Sequence, residues 1–367
     1  MQGKASLMSR SICCLLICGL LWGCGQSEDI NTASLDHVVD GLSGQVSVMV
    51  RDHAMSGVVL VALQGEPILE QAFNVDSLRA EFEVTTNTAF AIASLTKSFT
   101  ATLVLSQVES GWIDLDAPVS VYLPGLNATY ADDVTVRQLL ENRSGIPHYV
   151  DIPGWFEPTV KNEFTAESFL AEIEALELRF VPGEDYYYSN VNFYLLGLIL
   201  EAATGEKYEA LLAQQILNPL GLEDTGQIYS TGSKTIAPIY LRDGDTYELI
   251  KISNPELFKA TGSQYSTTLD LLTFGQALMN GSLLSDEMRE VLLHPDRPMG
   301  FIVASVPLAG KEVPVVTYNG EIAGTTSMLT MFPEQAGTIV ILSNNNVPYD
   351  SLVEMTLAIA QSAFGEL

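Results

Sequence analysis

A serine and a lysine three residues apart, Ser94 and Lys97 in Thr88-Ala-Phe-Ala-Ile-Ala-Ser-Leu-Thr-Lys-Ser-Phe-Thr100, are the first residues in this chain whose types and spacing point to chemistry. A serine hydroxyl is a weak nucleophile at neutral pH unless a base sits within hydrogen-bond reach. On a helix, positions i and i+3 share a face, so Lys97 can be that base with no long loop to order. Leu95, Phe99, Leu103 and Val108 predict such a helix with a core-facing stripe, and Gly111 supplies its stop. Ser94 then lies at the positive end of the helix dipole, which favours negative charge developing on its oxygen. Ser-x-x-Lys by itself recurs by chance in a chain of 367 residues, as a capping serine beside a solvated lysine, so the pair needs support from elsewhere.

Two later stretches supply it. In Tyr188-Ser-Asn190, a phenol beside a lysine loses its proton more easily and can act as general base for Ser94, while the Asn190 amide can hold both the lysine and a substrate carbonyl. In Tyr318-Asn-Gly-Glu-Ile-Ala-Gly324, Gly320 lets a strand backbone approach a bound acyl group, so the N–H of Glu321 can pair with that of Ser94 as an oxyanion hole.

Ser-x-x-Lys, Tyr-Ser-Asn and an x-x-Gly strand, in this order, resemble the serine β-lactamase and penicillin-binding protein superfamily. The variety most resembled is the class C-like serine hydrolases, which include class C β-lactamases, D-stereospecific peptidases and esterases. The likeness runs from about Val58 to Asn345 and takes in Arg137-Gln-Leu-Leu140, Ser144-Gly-Ile-Pro147, Tyr194-Leu-Leu-Gly197 and Ser266-Thr-Thr-Leu-Asp270. The resemblance implies that Ser94 is acylated, that Lys97 and Tyr188 share its proton, and that Asn190, Tyr318, Gly320 and Glu321 bind substrate. It implies no cofactor. Its small-molecule or peptidoglycan-like acyl substrates are here ester or peptide-like, D-amino-acyl compounds included. The alternatives are a class C-type β-lactamase, a D-alanyl-D-alanine carboxypeptidase, or a non-catalytic binding lipoprotein of the same fold. Two departures stand out: the third motif begins with Tyr318 where lysine or histidine is usual, and Glu321 is larger and more acidic than the residue expected there.

Other chemistries lack their residues. There is no Gly-x-Ser-x-Gly nucleophile elbow and no His-Glu-x-x-His, and His37, His53, His148 and His294 show no metal-ligand spacing. His148 alone falls in a phrase, Ser144 to Tyr149, that the resemblance puts near the cleft.

The elements that must position these residues follow from periodicity. Val58–Leu63 and Ile68–Phe73 predict a hairpin. Helical patterns occupy Val134–Leu140, Ala166–Leu176, Asn192–Ala203, Tyr208–Leu217 and Leu269–Met279. Strands at Gly300–Val306, Val313–Tyr318, Thr325–Met331 and Gly337–Leu342 precede a closing helix, Ser351–Phe364. The expected fold is α/β (α+β): an antiparallel sheet flanked by helices, with an inserted mostly helical lobe. The sheet lobe would comprise 35–93 and 296–367, and the helical lobe 94–295.

The formal charge of -28 repels phosphate backbones and argues against nucleic acid as a partner. Lys4 and Arg10 precede an apolar run, Ile12–Trp22, too short to span a bilayer but suited to an export signal. All four cysteines, Cys13, Cys14, Cys18 and Cys24, fall in this run or just after it, and Leu21-Trp-Gly-Cys24 resembles a lipobox. The expected organisation is a lipoprotein signal over 1–23, a lipid anchor on Cys24, a flexible tether over 24–34 and one domain over 35–367. The expected location is a bacterial membrane, with the outer membrane facing the periplasm favoured in a Gram-negative cell.

Overall fold

The computed structural model describes residues 32–151, 165–230, 235–252 and 254–365. Six strands form an antiparallel sheet in the order β2-β1-β11-β10-β9-β8: β1 is Gly57–Leu63, β2 Glu66–Phe73, β8 Ile302–Leu308, β9 Lys311–Ile322, β10 Thr325–Phe332 and β11 Gly337–Ser343. The ends of the chain thus build one sheet, because β1 pairs with β11 along its whole length, Gly57 opposite Ser343 through Leu63 opposite Gly337.

The unbroken apolar run of β1 has a simple cause. Successive side chains point to opposite faces, and both faces are covered. Val58, Leu60 and Ala62 join the core shared with the helical lobe. Val59, Val61 and Leu63 join a second core with Leu42, Val46 and Val50 of the first helix, Thr32–Asp52, and with Leu352, Met355 and Ile359 of the last, Tyr349–Phe364.

The first helix begins at Thr32, within the last three residues of the expected tether over 24–34, and the rest of that tether lies outside the described residues. Its stripe at Leu42, Val46 and Val50 has the i, i+4 spacing of a packed face, interrupted by Gly41 and Gly44. The mostly helical segment 94–295 also holds short strands: β7 (Gln264–Ser266) and β4 (Gly226–Gln227), which join β3 (Phe90–Ala91), just before the segment, in a three-stranded sheet, and a two-stranded ribbon, β5 (Ile239–Asp243) with β6 (Thr246–Ile250). The helix Thr268–Met279, placed by its number in the helical lobe, packs on β1, β10 and β11.

The helix Thr96–Glu109 runs through the middle of the molecule. Leu95, Phe99 and Leu103 are buried as the stripe predicts, but Thr100, Thr102, Val104 and Leu105 are buried too. Its hydroxyls find carbonyl partners: Ser98 donates to Gly300 O at 2.7 Å, Thr100 to Ala260 O at 2.8 Å and Thr102 to Ser98 O at 2.8 Å. A buried hydroxyl that is hydrogen-bonded avoids the desolvation cost of an orphan, so the helix is a core element on all sides.

Candidate active site

Ser94 sits in a single 3-10 turn, Ala93–Leu95, that leads directly into this central helix. Ala93, just before it, has φ of 48°, a left-handed conformation that costs an L-residue roughly 1–2 kcal/mol. The turn is held by Ile92 N–H on Gln264 O at 2.9 Å and Leu95 N–H on Ile92 O at 3.1 Å. The third-motif strand lies against the same turn. A Cβ on Gly320 would lie 2.0 Å from Ile92 O and 2.6 Å from Ser327 Oγ, so only glycine allows β9 this close to the nucleophile turn.

Lys97 Nζ lies 3.0 Å from Ser94 Oγ, and Tyr188 Oη lies 2.8 Å from the same oxygen. The Tyr188 hydroxyl donates to Asn190 Oδ1 at 3.0 Å, and Asn190 Nδ2 donates to the Tyr149 hydroxyl at 2.8 Å. Asn190 therefore does not hold the lysine, as the sequence led us to expect. Thr261 O does so, accepting from Lys97 Nζ at 2.6 Å.

Tyr188 is held by the helix that follows it. Ser189 is the N-cap of Asn190–Thr204, its hydroxyl accepting from Val191 N–H. Its own N–H donates to Asn142 Oδ1 at 3.2 Å, and its hydroxyl donates to Pro147 O at 2.9 Å. Asn192 donates to Asn142 Oδ1 and accepts from Ser144, so the Ser144-Gly-Ile-Pro phrase and the Tyr-Ser-Asn motif form one hydrogen-bonded unit.

Burial shifts the ionisable groups of the site. Lys97 is fully buried, and among the described residues no carboxylate pairs with it, so desolvation holds its amine well below the ordinary lysine range. Tyr188 moves the other way. Burial raises its hydroxyl, and the bond from Ser94 offsets this only in part. This reverses the expectation that the phenol would ionise more easily, because burial of the phenol itself is the largest influence on it. His148 is pushed down to about 4 by burial, helped by Lys97 whenever that amine carries charge. Its Nδ1 accepts from Val150 N–H at 3.0 Å, which puts the proton of the neutral ring on Nε2.

The cleft has two arms that meet on Ser94, His148, Asn190 and Glu321. One, about 780 Å³, is lined by Glu141, Arg143, Asp296 and Arg297 along with Tyr186 and Tyr318. Both guanidinium groups are engaged, Arg143 on Gly183 O at 2.7 Å and Arg297 facing the buried Glu141 at 3.8 Å. Tyr318 is almost wholly buried, and burial raises its hydroxyl well above the usual range. The other arm, about 450 Å³, is mainly apolar.

A family model described as Beta-lactamase matches residues 35–364. The chain belongs to the Beta-lactamase family. Penicillin-binding protein 4* of Bacillus subtilis (strain 168) is 26% identical over 324 residues, covering 80% of this chain and 68% of that protein. The octameric penicillin-binding protein homologue from Pyrococcus abyssi superposes with a TM-score of 0.75 at 25% identity, covering 88% of this chain and 76% of that one. The D-amino acid amidase from Ochrobactrum anthropi has the same fold, with a TM-score of 0.73 at 23% identity over 88% of this chain and 98% of that one.

Within this Beta-lactamase domain the three motifs come together in space: Ser94, Lys97, Tyr188 and Asn190 form one hydrogen-bonded set, and Tyr318 and Glu321 line the cleft beside it. Sequence reasoning missed Thr261, whose contribution is a backbone carbonyl, and Tyr149, which stands at the end of a phrase already placed near the cleft. Cys24 lies outside the described residues.

Proposed function

We propose that this protein is a serine hydrolase that forms an acyl-enzyme on Ser94 and acts on ester or peptide-like (D-amino-acyl) substrates. The observation that carries the reading is Ser94 Oγ held between Lys97 Nζ at 3.0 Å and Tyr188 Oη at 2.8 Å at the junction of the two arms. In its neutral form, which burial favours, Lys97 takes the serine proton, directly or by way of the Tyr188 hydroxyl, as Oγ attacks the carbonyl. The proton then passes to the departing alcohol or amine, and water releases the acyl group by the same steps in reverse. The N–H groups of Ser94 and Glu321 receive the developing oxyanion, and Asn190 seats the substrate.

Tyr318 separates this reading from a β-lactamase or a D-alanyl carboxypeptidase. A cation at that position would hold a substrate carboxylate through a charge-assisted bond of about 1.5–3 kcal/mol. A phenol kept neutral by burial offers about 1 kcal/mol. The difference is on the order of tenfold in recognition, before repulsion by the exposed Glu321 beside it. Short-chain p-nitrophenyl esters should therefore turn over faster than a chromogenic cephalosporin, and Tyr318→Lys should shift the preference toward the cephalosporin. Efficient cephalosporin hydrolysis with far slower ester turnover would restore the β-lactamase.

We further propose export and lipid anchoring through Cys24, supported by the basic, apolar and Leu-Trp-Gly-Cys sequence around it. The protein should partition with membranes and incorporate labelled palmitate, facing the periplasm from the outer membrane in a Gram-negative cell. Unchanged partitioning and labelling of Cys24→Ser would remove the lipoprotein reading.

A further inference from the structure

The two arms differ in chemistry. The larger is lined by five ionisable side chains, Glu141, Arg143, Asp296, Arg297 and Glu321, apart from its tyrosines and His148. Among the described residues the smaller has Lys251 and Glu321 as charged lining, both exposed; its apolar walls are Val150, Ile250, Ile252, Leu257, Phe258 and Ile322, with Asn254, Thr261 and Ser263 as polar lining between them.

These walls are built rather than incidental. Tyr149, Phe169 and Phe258 pack their rings together at centroid separations of 5.2–5.9 Å, which fixes one side against the helical core. The opposite side comes from the β5–β6 ribbon, whose end delivers Ile250 and Ile252, and from the β9–β10 turn, which delivers Ile322. Ribbon and turn are in tight contact. Gly324, at φ of 91°, has room for no side chain, because a Cβ would lie 2.7 Å from Ile239 Cγ2 and 2.8 Å from the Tyr240 carbonyl carbon. The ribbon therefore has no room to move closer to the third motif, and the arm keeps its width.

We propose that the apolar arm is the acyl-chain subsite, taking an unbranched or aromatic acyl chain of medium length, while the leaving group lies in the charged arm. This rests on the acyl-enzyme at Ser94. The preformed apolar walls are half-buried, so each methylene that enters removes apolar surface of both partners from water. A carboxylated or highly polar acyl group gains nothing there and loses its hydration.

The experiment is a kcat/KM series on p-nitrophenyl esters from acetyl to octanoyl, read beside acetate esters of alcohols of increasing length. The acyl series should rise about fourfold per methylene until the arm is filled, and the alcohol series should stay nearly flat. Ile252→Asp should lower the hexanoyl-to-acetyl ratio by about tenfold or more, and Leu257→Trp, which fills the arm instead of polarising it, should end the rise at a shorter chain. A flat acyl series with Ser94 still labelled by a fluorophosphonate overturns the subsite and leaves the hydrolase reading standing. A rise along the alcohol series in place of the acyl series overturns the orientation. Failure of both ester turnover and labelling removes the hydrolase reading itself.

Discussion

Ser94→Ala should fold normally, take up no fluorophosphonate label, and lose ester turnover by about 10⁴-fold or more. The size of the effect follows from the role, because no other group in the described cleft is placed to form the acyl bond between Lys97 and Tyr188. The small cost in stability follows from the contacts left behind. Without the serine oxygen, Lys97 Nζ still donates to Thr261 O and Tyr188 still donates to Asn190 Oδ1, so neither is orphaned. The net loss is a hydrogen bond or two at about 1 kcal/mol each. Peptide mapping of the labelled wild type would locate the modified residue. Label on Ser94→Ala at the wild-type level would show that another nucleophile is at work, and a wild type that binds acyl ligands but is never labelled would be a binding protein with this fold.

The parts of the site that could be read from the sequence are those whose geometry is local. Ser94 and Lys97 share a face whenever their segment is helical, and the 3-10 turn running into Thr96–Glu109 keeps that relation. The Tyr188 motif could be recognised as a pattern. Its distance to Ser94 across 94 residues depends on Asn142, Ser144 and Asn192, a network that no periodicity reveals. The Thr261 carbonyl carries no mark in the sequence, since every residue has one. The direction of the Tyr188 shift was misjudged for a related reason: the largest influence on the phenol is its own burial, which only the tertiary structure sets.

The fold divides in the same way. Strands β1, β10 and β11 were legible because both of their faces are buried and they read as continuous apolar runs. The first helix was missed where Gly41 and Gly44 break its pattern. The central helix was read as one-sided because a count of apolar residues overlooks Thr100 and Thr102, whose hydroxyls bond carbonyls and so bury like methyl groups. The β5–β6 ribbon went unread although Asp243-Gly244-Asp245 is a turn signal, and Gly244 does adopt a φ of 59°.

Lys97→Met should slow acylation by about 100-fold or more and at the same time make the protein more stable at neutral pH. The two effects have one cause, the burial of an ionisable amine. In the folded chain desolvation holds the Lys97 pKa well below its ordinary value of 10.5, while in the unfolded chain it titrates there. Between those two pKa values the unfolded state binds one proton more than the folded state, so wild-type stability rises with pH through that interval and levels off above it. Methionine has no proton to lose and can occupy the same space between the Tyr188 and Phe193 rings, which lie 5.2 and 5.6 Å from the amine. Against its gain stands Thr261 O, a buried acceptor that loses its donor at a cost of about 1–3 kcal/mol. Urea titrations of both proteins from neutral to alkaline pH would check this. The stability of the variant relative to wild type should be greatest at the low end of the interval and shrink as pH approaches 10.5, and tyrosine ionisation, common to both, should largely cancel in the difference. Parallel stability curves across the whole range would mean that Lys97 titrates alike in the folded and unfolded chains, and a resting neutral lysine could not then be the base for Ser94.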